Sequence, residues 1–274
     1  GVADSIKSDL ALVKPIALRM FNIKPKGAEK YFKEVENKLN EETDYCLEIQ
    51  QGQEIAKACA HIPNITFPNY YAHLSSNRIL TMDFMNGVHL SEFAKKNNDS
   101  IKSNKLGQAL WDFYMHQIHN LRKVHADPHP GNFLINNKAQ LVALDFGCMK
   151  TIPNDFYIPY FELADKSTMD NPKLFTEKLY ELEILTAEDS HEETSFFKEM
   201  FHELLSVFTL PFQSKVFDFS DPEFFGKIGD IAERYSQNTE LRKLNNTRGS
   251  KHFIYMNRTF FGLYNLMFDL KANA

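Results

Sequence analysis

The chain has 274 residues, 43% of them hydrophobic and 24% charged, with a formal net charge of −5. That is globular composition, long enough for one large domain or two small ones. The acidic balance and the lack of a basic stripe argue against a nucleic-acid partner. Three scattered cysteines, Cys46, Cys59 and Cys148, argue against a disulfide framework or a zinc site.

In chain order, Ile6, Leu10, Val13, Ala17 and Met20 recur at helical spacing, and Pro25 and Gly27 mark a turn. One long helix is expected from about 28 to 60, with Tyr31, Phe32, Val35, Leu39, Cys46, Ile49 and Ala56 on one stripe, ended by Pro63 and Pro68. Strands are expected over 70–74 and 78–83, turning at Ser75, Ser76 and Asn77. The run from Leu80 to Gly87 reads as a buried strand leaving into a linker. Helices follow at about 90–95 and 101–123, the second burying Leu106, Leu110, Phe113, Ile118 and Leu121. A hairpin of 133–135 and 140–144 turns at Asn136, Asn137 and Lys138. Helices are then expected at about 154–167, 171–183, 190–209, 221–237 and 249–269. The last is rich in aromatics and is expected to pack on the helical body, with membrane contact the lesser alternative. No apolar run reaches the ~18 residues of a membrane span, and no signal pattern precedes the first helix.

Chemistry concentrates around the hairpin. His125-Ala126-Asp127-Pro128-His129-Pro130-Gly131-Asn132 precedes it, and Asp145-Phe146-Gly147 follows it. Asn132 stands five positions after Asp127, and Asp145 thirteen after Asn132 (132 − 127 and 145 − 132). Phosphoryl transfer from ATP uses such a set: a carboxylate orients or deprotonates the attacking hydroxyl, and an amide with a second carboxylate holds magnesium on the phosphates. Asp127 is therefore the candidate base, and Asn132 and Asp145 the candidate magnesium ligands. Gly131 and Gly147 permit tight turns beside them. His125 is expected to prop the loop, and His129 to touch phosphate or serve structurally. The alternate His-x-Asp-x-His pattern lacks the further partners of a closed zinc site.

A second acidic cluster precedes this one. On the expected long helix Asp44 and Glu48 are four apart, so they share a face, and Glu41 joins them one turn earlier. A kinase-like site needs a helix carboxylate to hold a nucleotide-binding lysine, whereas a solvated acidic face is the commoner fate of such a run. Only residues 148–152 separate Gly147 from Pro153, which leaves no room for an activation segment. Together with Ala126 in place of the usual Arg, this points away from phosphorylation-gated protein kinases and toward a small-molecule or lipid acceptor, or ATP hydrolysis.

These motifs together resemble the UbiB family of atypical kinases, the aarF-domain-containing kinases linked to coenzyme Q biosynthesis. Residues 125–132 resemble that family's H-x-D-P-H-P-G-N form, Glu42-Thr43-Asp44-Tyr45 its ExD-Tyr signature, residues 80–87 its hinge and residues 258–266 its C-terminal helix. The resemblance implies an α+β, protein-kinase-like fold: a partial N-lobe in 1–85 and a complete, mostly helical C-lobe in 86–274. It implies ATP and Mg2+, with Asp127 as base and Asn132 and Asp145 on the metal. It assigns Glu48 to the lysine, Glu42 and Asp44 as an extra acidic pair, and Met82, Asp83 and Met85 to adenine through the backbone. It also implies support of quinone or lipid metabolism with peripheral membrane contact, while the unclustered cysteines suggest a reducing, cytoplasmic compartment. Alternatives are an aminoglycoside- or choline-type phosphotransferase and a non-catalytic binding module. The family's K-x-G-Q segment, Ala-rich loop and strand lysine have no counterpart in residues 1–274. The expectation is therefore the C-terminal portion of a longer chain, weak or inactive by itself.

Overall fold

Asp44 interrupts the helix expected over 28–60. Its side chain accepts hydrogen bonds from the Cys46 and Leu47 amides, so it caps a fresh helix, α1 (Tyr45–Ala58), rather than riding inside an older one. An Asp satisfies two orphan donors at an N-cap, where inside a helix it would compete with the backbone. The computed structural model describes residues 43–236 and 249–274, together with residues 10, 11, 13–15, 32, 33 and 36. Glu41, Glu42 and most of the first expected helix lie outside the described residues.

After β1 (Ile65–Thr66) the chain makes no regular hairpin. Tyr70 bridges Met82, but a 3-10 turn at Ala72–Leu74 replaces the expected first strand. Backbone bonds remain between Tyr71 and Thr81 and between Ser76 and Ile79, and side chains replace the ladder between them. The Ser75 hydroxyl donates to the Tyr71 carbonyl and accepts from the Thr81 amide, and the Thr81 hydroxyl donates to the Leu74 carbonyl. Such local bonds offer the backbone an alternative to a strand. The buried strand expected over 80–87 is likewise corrected: it is extended and half-buried, with Phe84 88% exposed.

β2 (Val88–His89) leads into α2 (Leu90–Lys96), and Asp99 caps α3 (Ser100–His116). The expected continuation of α3 to residue 123 fails. The last turn widens into a π-turn, Gln117–Leu121, closed by Arg122 at φ 53°. Strands β3 (Lys123–His125), β4 (Phe133–Ile135), β5 (Leu141–Ala143) and β6 (Met149–Thr151) follow. One sheet has the order β1-β5-β4-β2, with β1 parallel to β5 and the other pairs antiparallel. The β4–β5 hairpin turns on Asn136, whose side-chain oxygen accepts from the Lys138 and Gln140 amides. β3 and β6 make a separate antiparallel ribbon.

The remainder is helical: α4 (Asn154–Leu163), α5 (Lys166–Met169), α6 (Pro172–Glu181), α7 (His191–Phe208), α8 (Pro222–Ser236) and α9 (Lys251–Asp269). Helix α9 buries Met256, Phe260, Leu263, Tyr264 and Met267, and the Tyr264 hydroxyl donates to the Phe208 carbonyl. This is the expected packing on the helical body. The last residues pair with 217–219 through bonds between Phe217 and Ala274 and from Phe219 to Ala272.

Candidate active site

The loop from 125 to 132 is held at both ends by backbone pairing. His125 stands opposite Met149 in the β3–β6 ribbon, and the Ala126 amide donates to the Cys148 carbonyl at 2.9 Å. This fastens the residues just before Asp127 to those just after Gly147. At the other end the Leu144 amide donates to the Asn132 carbonyl at 3.0 Å. The hairpin thus brings the Asp127–Asn132 loop beside Asp145, as the spacing predicts.

Within the loop, the Asn132 amide nitrogen donates to the Asp127 carbonyl at 3.0 Å. His129 is exposed, and its Nδ1 accepts from the Gly131 amide at 3.1 Å, so it supports the short 3-10 turn. His125 is buried, and its amide donates to Gln117 Oε1 at 2.9 Å. Its ring stands edge-on to Phe146, centroids 6.2 Å apart. Phe146 is buried while Asp145 beside it is exposed, which anchors the backbone and leaves the carboxylate in the cleft. Asp145 Oδ1 accepts from the Gly147 amide at 2.8 Å.

A cavity of about 660 Å3 joins these groups to α1. Its walls include Glu48, Asp127, Asp145, Arg78 and His125. Burial, and next the charge of Asp145, raise the Glu48 carboxyl from an ordinary 4.5 to about 7. The same two carboxylates, after burial, push the Tyr70 hydroxyl upward. That hydroxyl donates to the Leu144 carbonyl at 3.0 Å and so ties the 70–83 segment to the residue before Asp145.

The other expected site residues lie differently. Asp44 is the N-cap of α1 and not an interior residue of a longer helix: its Oδ1 accepts from the Cys46 and Leu47 amides. Glu42 lies outside the described residues. Met82, Asp83 and Met85 lie on the extended segment. The Asp83 amide already donates to the Asn69 carbonyl, and its carboxylate accepts from Asn69 and Tyr71. Its backbone donor is therefore already engaged.

Sequence reasoning missed three residues. Arg78 stands in the cleft wall, in a turn with no motif to flag it. Gln117 is held by the π-turn, which no periodicity announces. Arg258 on α9 pairs with Asp127 at 2.5 Å, across 131 positions. Helix α9 reaches the loop because Gly262 lies on Pro128: a Cβ there would overlap the proline ring. The glycine inside an apolar helix was the readable signal of that approach.

Residues 1–177 match the family model of the ABC1 atypical kinase-like domain. The chain belongs to that family. Among relatives of this ABC1-family chain is the mitochondrial atypical kinase COQ8 of Saccharomyces cerevisiae, 26% identical over 83% of this chain and 45% of that one. Another is the mitochondrial atypical kinase COQ8B of Danio rerio, 25% identical over 70% of this chain and 32% of that one. AarF domain-containing protein kinase 1 of Mus musculus is 28% identical over 53% and 29% respectively. The chain therefore spans less than half the length of these relatives. Its structure resembles that of Rv3197 from Mycobacterium tuberculosis, solved in complex with erythromycin. The TM-score is 0.70 at 18% identity, covering 100% of this chain and 66% of that one. The UbiB/aarF resemblance and the kinase-like α+β fold are both borne out. No helix among the described residues is long and apolar enough to cross a membrane.

Proposed function

We propose that the chain carries the catalytic half of a magnesium-dependent ATP site that performs phosphoryl transfer or ATP hydrolysis. The observation that carries this is the convergence of Asp127, Asp145 and Glu48 on one cleft, with Asn132 bonded to the same loop. In this reading Asp127 receives the proton of the attacking hydroxyl, and Asn132 and Asp145 hold magnesium. The donor set fits the ion. The Asn132 nitrogen is spent on the Asp127 carbonyl, which leaves the amide oxygen as an acceptor, and Asp145 adds a hard carboxylate. A Glu48 carboxyl raised by burial and by Asp145 also fits a cleft that takes cations. Bound magnesium would neutralise phosphate charge; what this chain supplies is fixed geometry and the base.

Glu48 is the assigned partner of a nucleotide-gripping lysine, Glu42 and Asp44 an accessory acidic pair, and the backbone of Met82 to Met85 the adenine contact. Asp83 acts through its carbonyl, since its amide is engaged. The division at 85/86 separates the two lobes in this reading. The acceptor is a small molecule or lipid, in support of quinone or lipid metabolism, with peripheral membrane contact. The coenzyme Q link is supported by the likeness to the COQ8 kinases.

Calorimetric titration with ATP tests the site. Binding should require magnesium, and Asp145→Asn should weaken it at least about tenfold, the scale of one lost charge-assisted contact. Undiminished magnesium-dependent binding in a folded Asp145→Asn chain would remove Asp145 from the metal.

A further inference from the structure

A second cavity, larger than this cleft, lies among α4, α5, α7 and α9. Its volume is about 1010 Å3, at or above the upper end of the ~300–1,000 Å3 typical of small-molecule sites. Its walls are aromatic and aliphatic, from Ala164, Met169, Leu205 and Phe208 to Phe260 and Tyr264. At its edge Phe212 and Phe261 remain 47% and 44% exposed. A packed interior does not leave such a space empty without losing dispersion contacts on every wall, and exposed apolar rims mark ligand-binding surfaces.

Arg258 distinguishes this cavity from a packing fault. It lines the cavity and its guanidinium pairs with Asp127, so one residue links the apolar chamber to the candidate base. Its present partner is a carboxylate, and the pair is about half exposed, with side-chain exposures of 52% and 40%. A ligand carboxylate can replace that partner without leaving the arginine unpaired. The other charges lining the chamber are Asp165, Lys166 and Asp170, and the Asp165 carboxylate is already held by Ser167.

We propose that this cavity binds a long-chain carboxylate, with its hydrocarbon among the α7 and α9 aromatics and its head on Arg258 in exchange for Asp127. Occupancy then frees Asp127. That consequence rests on the proposed phosphoryl-transfer reading, whereas the binding itself does not.

Trp111, the one tryptophan of the sequence, reports on the cavity. Its ring lies 5.2 Å from that of Phe212 and stacks on Tyr264 at 6.5 Å, both of which line the chamber. The purified chain is titrated with dibrominated stearate below its micelle-forming concentration, and Trp111 emission is followed. The expected result is saturable quenching, reversed by unbrominated stearate. The brominated alcohol of the same length should bind about tenfold more weakly, because it offers Arg258 no charge. Ala164→Phe, which narrows the chamber, should weaken stearate about tenfold or more, with its unfolding midpoint establishing that it is folded. Quenching that rises linearly, or that unbrominated stearate does not reverse, overturns the site whether or not the variant folds. Equal affinity for acid and alcohol overturns the assignment to Arg258. Asp145→Asn leaves this titration untouched, so failure of the nucleotide test and failure of carboxylate binding are separate outcomes.

Discussion

Gln117 has no chemistry to offer a phosphate, yet it sets the position of the residues that do. It is fully buried, its Oε1 accepts from the His125 amide, and its Nε2 donates to the Phe113 carbonyl. The π-turn gives it this position: the wider turn shifts the register of α3, and such turns recur at functional sites. Gln117→Leu leaves the His125 amide without that partner in the interior and should cost about 1–3 kcal/mol. A urea midpoint that does not fall would show that the bond contributes nothing. Glu48 gives a pH dependence of determinate sign. Its folded carboxyl sits near 7 against an ordinary 4.5, so between those values the folded chain holds a proton that the unfolded chain has released. Its contribution to stability is therefore lost as pH rises from about 4.5 to about 7. With chelator present, Glu48→Gln should remove that slope. Its gain over the parent chain at pH 8, relative to pH 4.5, should be about 1–2 kcal/mol once solvent access is allowed for. Parallel stability–pH curves for the two chains would contradict the burial of Glu48's charge.

Helix α9 separates what sequence reveals from what it does not. Its amphipathic stripe is plain, and so is its burial, because local periodicity records which face must leave water. The β4–β5 hairpin is legible for a similar reason: two apolar runs flank an Asn-Asn turn whose side chain closes the loop by itself. The Asp127, Asn132 and Asp145 spacing follows from that hairpin. What no local rule carries is the partner across the fold. The Arg258–Asp127 pair joins residues 131 apart, and nothing near either one names the other. Asp44 misled in the opposite way: the apolar pattern continues through it, and only the capping preference of Asp argued for a new start. Gly262 could have been read, since a glycine in a helix interior costs ~1 kcal/mol relative to alanine and so calls for a packing reason. That reason is Pro128, whose ring occupies the place of a Cβ. Gly262→Val should therefore force α9 off the loop, at about 1–3 kcal/mol for overpacking. Chemical shifts of the Asp127–Asn132 amides should move with it. A variant with parent stability and unshifted loop amides would mean that Pro128 yields at no cost.

At the scale of the whole molecule, the proposed lobes are joined by more than a linker. β1 lies before the 85/86 division but pairs in parallel with β5 after it, through Ile65–Leu141 and Thr66–Val142. Ile49, Ile55, Cys59 and Ile62, all from the earlier part, are buried in the same hydrophobic cluster as Leu110, Phe113 and Leu141. The Tyr70 hydroxyl adds a tether to the Leu144 carbonyl, one residue before Asp145. Residues 86–274 produced alone should therefore expose the edge of β5 and the apolar side chains that α1 covers. Each fully buried aliphatic side chain stabilises by about 1.5–3 kcal/mol, so losing several partners should remove most of a typical domain stability of ~5–15 kcal/mol. The expected result is a fragment that unfolds at much lower urea than the whole chain, with amides of 141–147 exchanging fastest relative to the parent. The helical body around Phe219, Phe224 and Tyr264 draws its contacts from within the fragment and should stay the most protected part. A fragment as stable as the whole chain, with residues 141–147 equally protected, would make the earlier part a rider on the C-lobe. The opposite result makes Asp145 a residue whose position depends on both lobes, so that a nucleotide held between them would stabilise the fold that holds it.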